Sequence, residues 1–187
     1  MHSIIKCLVN VIDIKDPYTA GHQRRVTKLA TTISKKLKVS KEITKAISLA
    51  SLIHDIGKIS IPASILAKPD VLTELEFSIV KMHPQVGYDI LVKSNFNNYI
   101  ATIILQHHER LNGTGYTKGL TGNEILFEAK VLAVADVVEA MSSHRPYRPA
   151  FSTEKILEEL KKGKNKLYDP LVVQACLELF NKDKFKF

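Results

Sequence analysis

Seven histidines stand at positions 2, 22, 54, 83, 107, 108 and 144. His22, His54, His83 and the pair His107–His108 are separated by 32, 29 and 24 residues, which puts them on successive predicted helices. Asp136 follows 28 residues after His108, inside the apolar run AKVLAVADVVEAM, and Asp55 directly follows His54 in ASLIHDIG. A carboxylate among Val134, Ala135, Val137 and Val138 is costly to bury unless it is paired or bound to metal. A lone buried histidine is usually a satisfied core residue. Five histidines and two aspartates in series are a candidate ligand set instead. Imidazole suits iron, manganese or zinc, and a carboxylate can bridge two ions. Seven donors exceed what one tetrahedral zinc takes but suit two ions sharing a bridge. Such a centre stays positive after both aspartates are counted, and Lys58, one turn beyond His54, adds to it. It favours an anionic, phosphate-bearing substrate.

These residues need helices to position them. Ile4, Ile5, Leu8 and Ile12 recur at helical spacing up to Asp16-Pro17. A second helix is predicted over 19–37, with Val26, Leu29, Ile33 and Leu37 on one side. Ser40 starts a third, leading to Leu49, Leu52 and Ile53. Gly57 and Pro62 break the chain, IPASILAKP reads as a short turn of helix in a loop, and Thr73 with Glu76 forms a capping box. Further helices are predicted over 85–94, 97–110, 123–142, 152–162 and 169–181. Residues 112–122 hold four glycines and read as a functional loop. The expected architecture is an all-α, compact helical bundle with a dinuclear metal site in its core. It is read as a single domain over 1–187, with a lead-in helix at 1–16, a motif-bearing core at 17–150 and C-terminal helices at 151–187. One geometric limit applies. Neighbours in a helix point about 100° apart, so His54–Asp55 and His107–His108 share one centre only if it lies between those directions.

Composition narrows the function classes. The chain has 187 residues, 45% apolar and 25% charged, as in an ordinary globular protein. No apolar run reaches the roughly 18 residues of a membrane span, and MHSIIKCLVN lacks the marks of a signal peptide. Cys7 and Cys176 match no metal or redox spacing, and free thiols in a cytoplasmic protein are the simplest reading. The net charge of +8 owes much to lysines in the tail; with few aromatics and no tryptophan, no stacking platform for a nucleic acid polymer is visible.

Five segments, DPYTAGHQRRV (16–26), LIHDIGKISIP (52–62), MHPQVGYDIL (82–91), HHERLNGTGYTKGL (107–120) and AVADVVEAMSSHRPYR (133–148), closely resemble the HD-GYP family of the HD phosphohydrolase superfamily, in family order. The resemblance implies a two-metal centre of iron or manganese with His22, His54, Asp55, His83, His107, His108 and Asp136 as ligands, Asp55 bridging. It implies hydrolysis of cyclic di-GMP to the linear dinucleotide pGpG, and in some members on to GMP, through attack of a metal-bridging hydroxide. By the same analogy Asp55 and Lys58 are catalytic, Lys58 contacts the scissile phosphate, and Gly115, Tyr116, Arg145 and Arg148 hold the nucleotide.

The chain departs from that family at three places. Gly-Tyr-Pro reads Gly115-Tyr116-Thr117, His144 replaces the aspartate before RPYR, and Tyr18 stands where some members carry a glutamate serving a third metal. His144 is expected at the surface, and two ions are expected rather than three. Two other readings use the same residues: a cyclic di-GMP receptor or protein-docking module with little turnover, and a hydrolase of another cyclic dinucleotide. The family further implies an upstream sensory or receiver domain, protein partners at the 112–122 loop, and a homodimer through the amphipathic first helix.

Overall fold

The structure, a computed structural model, describes residues 2–16, 21–144 and 148–187. Its helices are α1 (His2–Lys15), α2 (His22–Lys36), α3 (Lys41–Ile53), α4 (Ala63–Leu66), α5 (Glu74–Val80), α6 (His83–Lys93), α7 (Asn98–Gln106), α8 (Phe127–Ser142), α9 (Thr153–Gly163) and α10 (Pro170–Asn181). Short 3₁₀ turns lie at Ile56–Ser60 and Gly122–Glu124. Among the described residues there is no sheet, and the all-α expectation holds.

α8 is the central element. Ala129, Val131, Leu132, Val134, Ala135 and Val138 are all buried, so the helix is apolar nearly all round, as a helix enclosed by others must be. α2 lays Val26, Leu29, Ala30 and Ile33 against α8 and α3, all fully buried. Burying each larger side chain of this kind contributes about 1.5–3 kcal/mol. α7 closes the core with Ile100, Ile103 and Ile104. Truncating the fully buried Ile104 to alanine is expected to cost about 2–5 kcal/mol.

Local capping follows the sequence. The Ser40 hydroxyl accepts from Ile43 N at the start of α3, and Thr73 and Glu76 form the reciprocal capping box of α5. Three boundaries differ most from expectation. α2 begins at His22 because Gly21, at φ 74°, turns the chain in the left-handed region just before it. α7 stops at Gln106 rather than 110, where the His107 ring takes up the Ile104 carbonyl. α8 begins at Phe127, since Thr121 and Glu124 close a separate 3₁₀ turn with their own capping box.

Candidate metal centre

Those helix ends carry the site. His22 and His83 are the first residues of α2 and α6; His54 and His107 cap the C-termini of α3 and α7. Asp55 opens the 3₁₀ turn after His54, and His108 lies in the turn after His107. Each adjacent pair therefore sits where its helix has ended, and the 100° limit of a continuous helix does not hold them apart. Of the seven candidates, Asp136 alone projects from a helix interior.

The structure brings all seven together. Donor atoms of His22, His54 and Asp136 lie within 4.8 Å of one another, as do those of His83, His107 and His108, and those of His54, Asp55 and His107. Asp55 spans the cluster: Oδ2 is 3.5 Å from His54 Nε2, and Oδ1 is 3.5 Å from His83 Nε2. Asp136 Oδ1 is 3.2 Å from His22 Nε2, and its Oδ2 is 4.0 Å from His108 Nδ1.

Hydrogen bonds behind the rings fix which nitrogen points inward. Nδ1 of His54, His83 and His107 donates to the carbonyl oxygens of Ser51, Val80 and Ile104 at 2.9, 2.8 and 2.5 Å. With the proton on Nδ1, each Nε2 presents a lone pair. His83 Nε2 and His107 Nε2 then face each other at 3.4 Å, acceptor to acceptor, in a buried place. A cation between them satisfies both. The donor set fits divalent metal ions.

Charge in the cluster follows its surroundings. Burial works against the Asp55 carboxylate, but Lys58 and the histidines around it hold its pKa well below the usual range. Asp136 is likewise buried, and His22 and His54 hold it low. Burial pushes His83 down to about 4 and His107 to about 3. Burial also opposes charge on His22, yet Asp136 and Glu139 overcome it and raise the imidazole to about 9.

Glu139 was not visible among the sequence candidates. It is fully buried, pairs with His22 Nδ1, and accepts at Oε1 from Arg25 Nε and the Ser143 hydroxyl, both at 2.6 Å. The available signal was a second carboxylate one turn beyond Asp136 in an apolar helix. Gln23 was also missed; it is fully buried, with Nε2 3.5 Å from Asp55 Oδ2.

The substrate candidates are placed unevenly. Lys58 Nζ lies 2.9 Å from Asp55 Oδ2 and 3.2 Å from Asp16 Oδ2, at the edge of the cluster. Tyr116 stacks on the His108 ring at 4.6 Å, and burial raises its pKa. Gly115 has a packing role: a Cβ there would sit 2.4 Å from Glu109 Cα. Buried Glu109 braces the loop by accepting from Lys118 N at 2.7 Å and Leu120 N at 3.0 Å. Arg148 donates to the Ala140 carbonyl at 2.7 Å and covers the Phe151 ring, so it ties the end of α8 to the following chain. His144 is exposed, as expected. Arg145 and Tyr18 lie outside the described residues. Cavities of about 530 and 510 Å³ open on the outer side of α3, and none of the cluster residues lines them.

Residues 6–172 match the HD domain family model. The chain is 40% identical over 173 residues to the cyclic di-GMP phosphodiesterase response regulator RpfG of Xanthomonas campestris, covering 91% of this chain and 46% of that protein. It is 34% identical over 181 residues to 3'3'-cGAMP-specific phosphodiesterase 3 of Vibrio cholerae, covering 97% of this chain and 39% of that one. The chain thus spans less than half the length of these curated relatives. Bd1817, an HDG"Y"P protein from Bdellovibrio bacteriovorus, has the same fold, with a TM-score of 0.71 at 22% identity over 85% of this chain and 51% of that one. Motifs, helical architecture and family match agree: the chain belongs to the HD domain family.

Proposed function

We propose that this chain is a metal-dependent phosphodiesterase domain that hydrolyses cyclic di-GMP to linear pGpG. The observation that carries the reading is the pair of buried imidazole lone pairs, His83 Nε2 and His107 Nε2, 3.4 Å apart with no proton to share. A divalent cation between the rings satisfies both lone pairs, and the relatives named above are phosphodiesterases of cyclic dinucleotides. The proposed ligands are His22, His54, Asp55, His83, His107, His108 and Asp136, holding two iron or manganese ions. Bound ions would supply Lewis-acid polarisation of the phosphate and lower the pKa of a water toward roughly 7.

The chain's own groups do the positioning. Asp55 turns one oxygen to each half of the cluster, which suits a bridge. Lys58 places an ammonium beside that carboxylate, where it can meet a phosphate oxygen. Tyr116, stacked on His108, forms one wall. Arg145 is proposed to grip the substrate; Arg148 would first have to release the Ala140 carbonyl. Tyr18 offers a phenol in place of a carboxylate, so a third ion lacks that ligand and pGpG should accumulate, with GMP late. A domain of this kind would act in the cytoplasm, under an input domain such as the longer relatives have room for. Among the described residues no helix is long and apolar enough to cross a membrane.

The likeness to a 3'3'-cGAMP phosphodiesterase supports a second reading, in which a mixed cyclic dinucleotide is preferred. Incubating manganese- or iron-loaded protein with cyclic di-GMP, 3'3'-cGAMP and cyclic di-AMP, followed by chromatography, tests both. Linear pGpG from the first, fastest of the three, is expected. Binding of cyclic di-GMP without any linear product would make the domain a receptor.

A further inference from the structure

Large apolar side chains are exposed unevenly over the molecule. Ile59, Val71, Leu75, Phe77, Ile79 and Met82 are each at least 38% exposed, and all lie on the segment that leads into His83. Such a concentration beside a site marks a contact surface. Phe77 is the member that faces the metal centre. Its ring stands edge-on to Tyr116 at 6.4 Å, and Tyr116 in turn stacks on His108 at 4.6 Å. Three rings therefore run outward from a candidate ligand to a side chain that is 46% exposed.

Two further features adjoin Phe77. Lys81, one turn along, rests its Nζ 5.1 Å from the ring centroid, and no ion pair or hydrogen bond joins that ammonium to the described residues. A groove of about 380 Å³, walled by Asp70, Val71, Leu72, Thr73 and Glu74, opens on Phe77. A phosphodiester held at the metal centre carries a nucleoside on each side, so a base has to lie against a wall of the site. One face of Tyr116 is taken by His108, and Phe77 is the next aromatic ring outward. An aromatic face stacks any base. An ammonium distinguishes among them, because guanine offers two acceptors at O6 and N7, whereas adenine presents an amino donor beside N7.

We propose that Phe77 is the stacking platform for one guanine of the cyclic dinucleotide, and that Lys81 swings from the ring to that base's O6 and N7. This rests on the function proposed above and deepens it, by naming residues that choose the base.

The test compares manganese-loaded variants on cyclic di-GMP and on methyl 4-nitrophenyl phosphate, a phosphodiester without a base. Phe77→Ala should raise KM for cyclic di-GMP about 5- to 100-fold and leave the base-free substrate unchanged. Phe77→Leu should behave like alanine, and Phe77→Trp like the unmodified protein. Lys81→Met should narrow the preference for cyclic di-GMP over cyclic di-AMP by about tenfold. An unchanged KM in Phe77→Ala overturns the proposal and leaves the patch to a protein partner. An equal loss on both substrates overturns it too, because the residue is then structural. If the unmodified protein hydrolyses neither substrate, the proposed function fails by itself. Equilibrium dialysis of labelled cyclic di-GMP then judges the platform: tenfold weaker binding by Phe77→Ala supports it, and equal binding or none by either protein overturns it.

Discussion

The two halves of the candidate metal cluster differ in their donors and in what backs one ring, His22. In the half formed by His22, His54 and Asp136, a carboxylate stands among the donors; a second carboxylate, Glu139, backs the His22 ring, and the Ser51 carbonyl backs His54. In the half formed by His83, His107 and His108, all three donors are imidazoles, and main-chain carbonyls back His83 and His107. Outer partners of this kind orient a ligand and tune its basicity. A carbonyl at a helix end comes with the fold, whereas a carboxylate is a residue that substitution can remove. The first half is therefore adjustable at one ring, His22, whereas His54, His83 and His107 are set by where helices stop.

Asp55 is the residue whose loss should erase the distinction, since it faces both halves. Asp55→Ala should bring turnover to background and remove most bound metal, with the helical circular dichroism spectrum retained. Hydrolysis at the unmodified rate would make Asp55 structural.

Glu139→Gln should affect one half. Loss of an outer-shell partner typically costs 10–100-fold in metal affinity, so one of the two ions should weaken by about that factor while the other keeps its affinity. A manganese titration read by electron paramagnetic resonance separates the two. Equal weakening of both ions would mean that Glu139 supports the fold as a whole.

The halves also differ in protons. His22, raised to about 9, stabilises the metal-free fold fully below its unfolded value of 6.5, and that contribution is lost as pH rises through 9. His83 and His107, lowered to about 4 and 3, act oppositely: the metal-free fold loses stability as pH falls below 6.5. At pH 7.5 His22 is therefore protonated while His83 and His107 are neutral. A ligating imidazole must be neutral. Loading should release the His22 proton at pH 7.5 and little of it above 9.5, on top of any proton given up by a metal-bound water at both pH values. An indicator dye records the difference; release that does not fall between these pH values would contradict the assignment.

Much of this was legible in the sequence because two signals are local. Helical periodicity of Val26, Leu29 and Ile33 and the caps at Ser40 and Thr73 place elements, and the five histidines with Asp55 and Asp136 mark the cluster. What could not be read was where helices stop. His107 ends α7 through its own ring's bond to Ile104, a contact that periodicity does not carry. Glu139 stayed hidden because its partners, His22 and Arg25, are more than a hundred residues away. Arg148 read as a substrate contact because charge near Asp136 gives no direction; the structure turns it to the Ala140 carbonyl. Gly115 read as a binding residue, and its packing against Glu109 supplies a reason the motif alone did not.

The smallest effect should come from the loop that flanks the all-imidazole half. Glu109→Ala removes the acceptor of two main-chain N–H groups and should cost about 1–3 kcal/mol of stability. Proteolysis within 112–122 should quicken while metal content is kept. Unchanged proteolysis and melting would show that the loop does not depend on this brace.

The central claim is that the seven donors hold two ions that the reaction requires. Manganese titrated into metal-free protein, with bound metal and hydrolysis of cyclic di-GMP followed together, tests it most directly. Binding should saturate at two ions per chain, with turnover rising only as the second is taken up. No metal bound after anaerobic loading, or full turnover in the presence of excess chelator, would contradict the account.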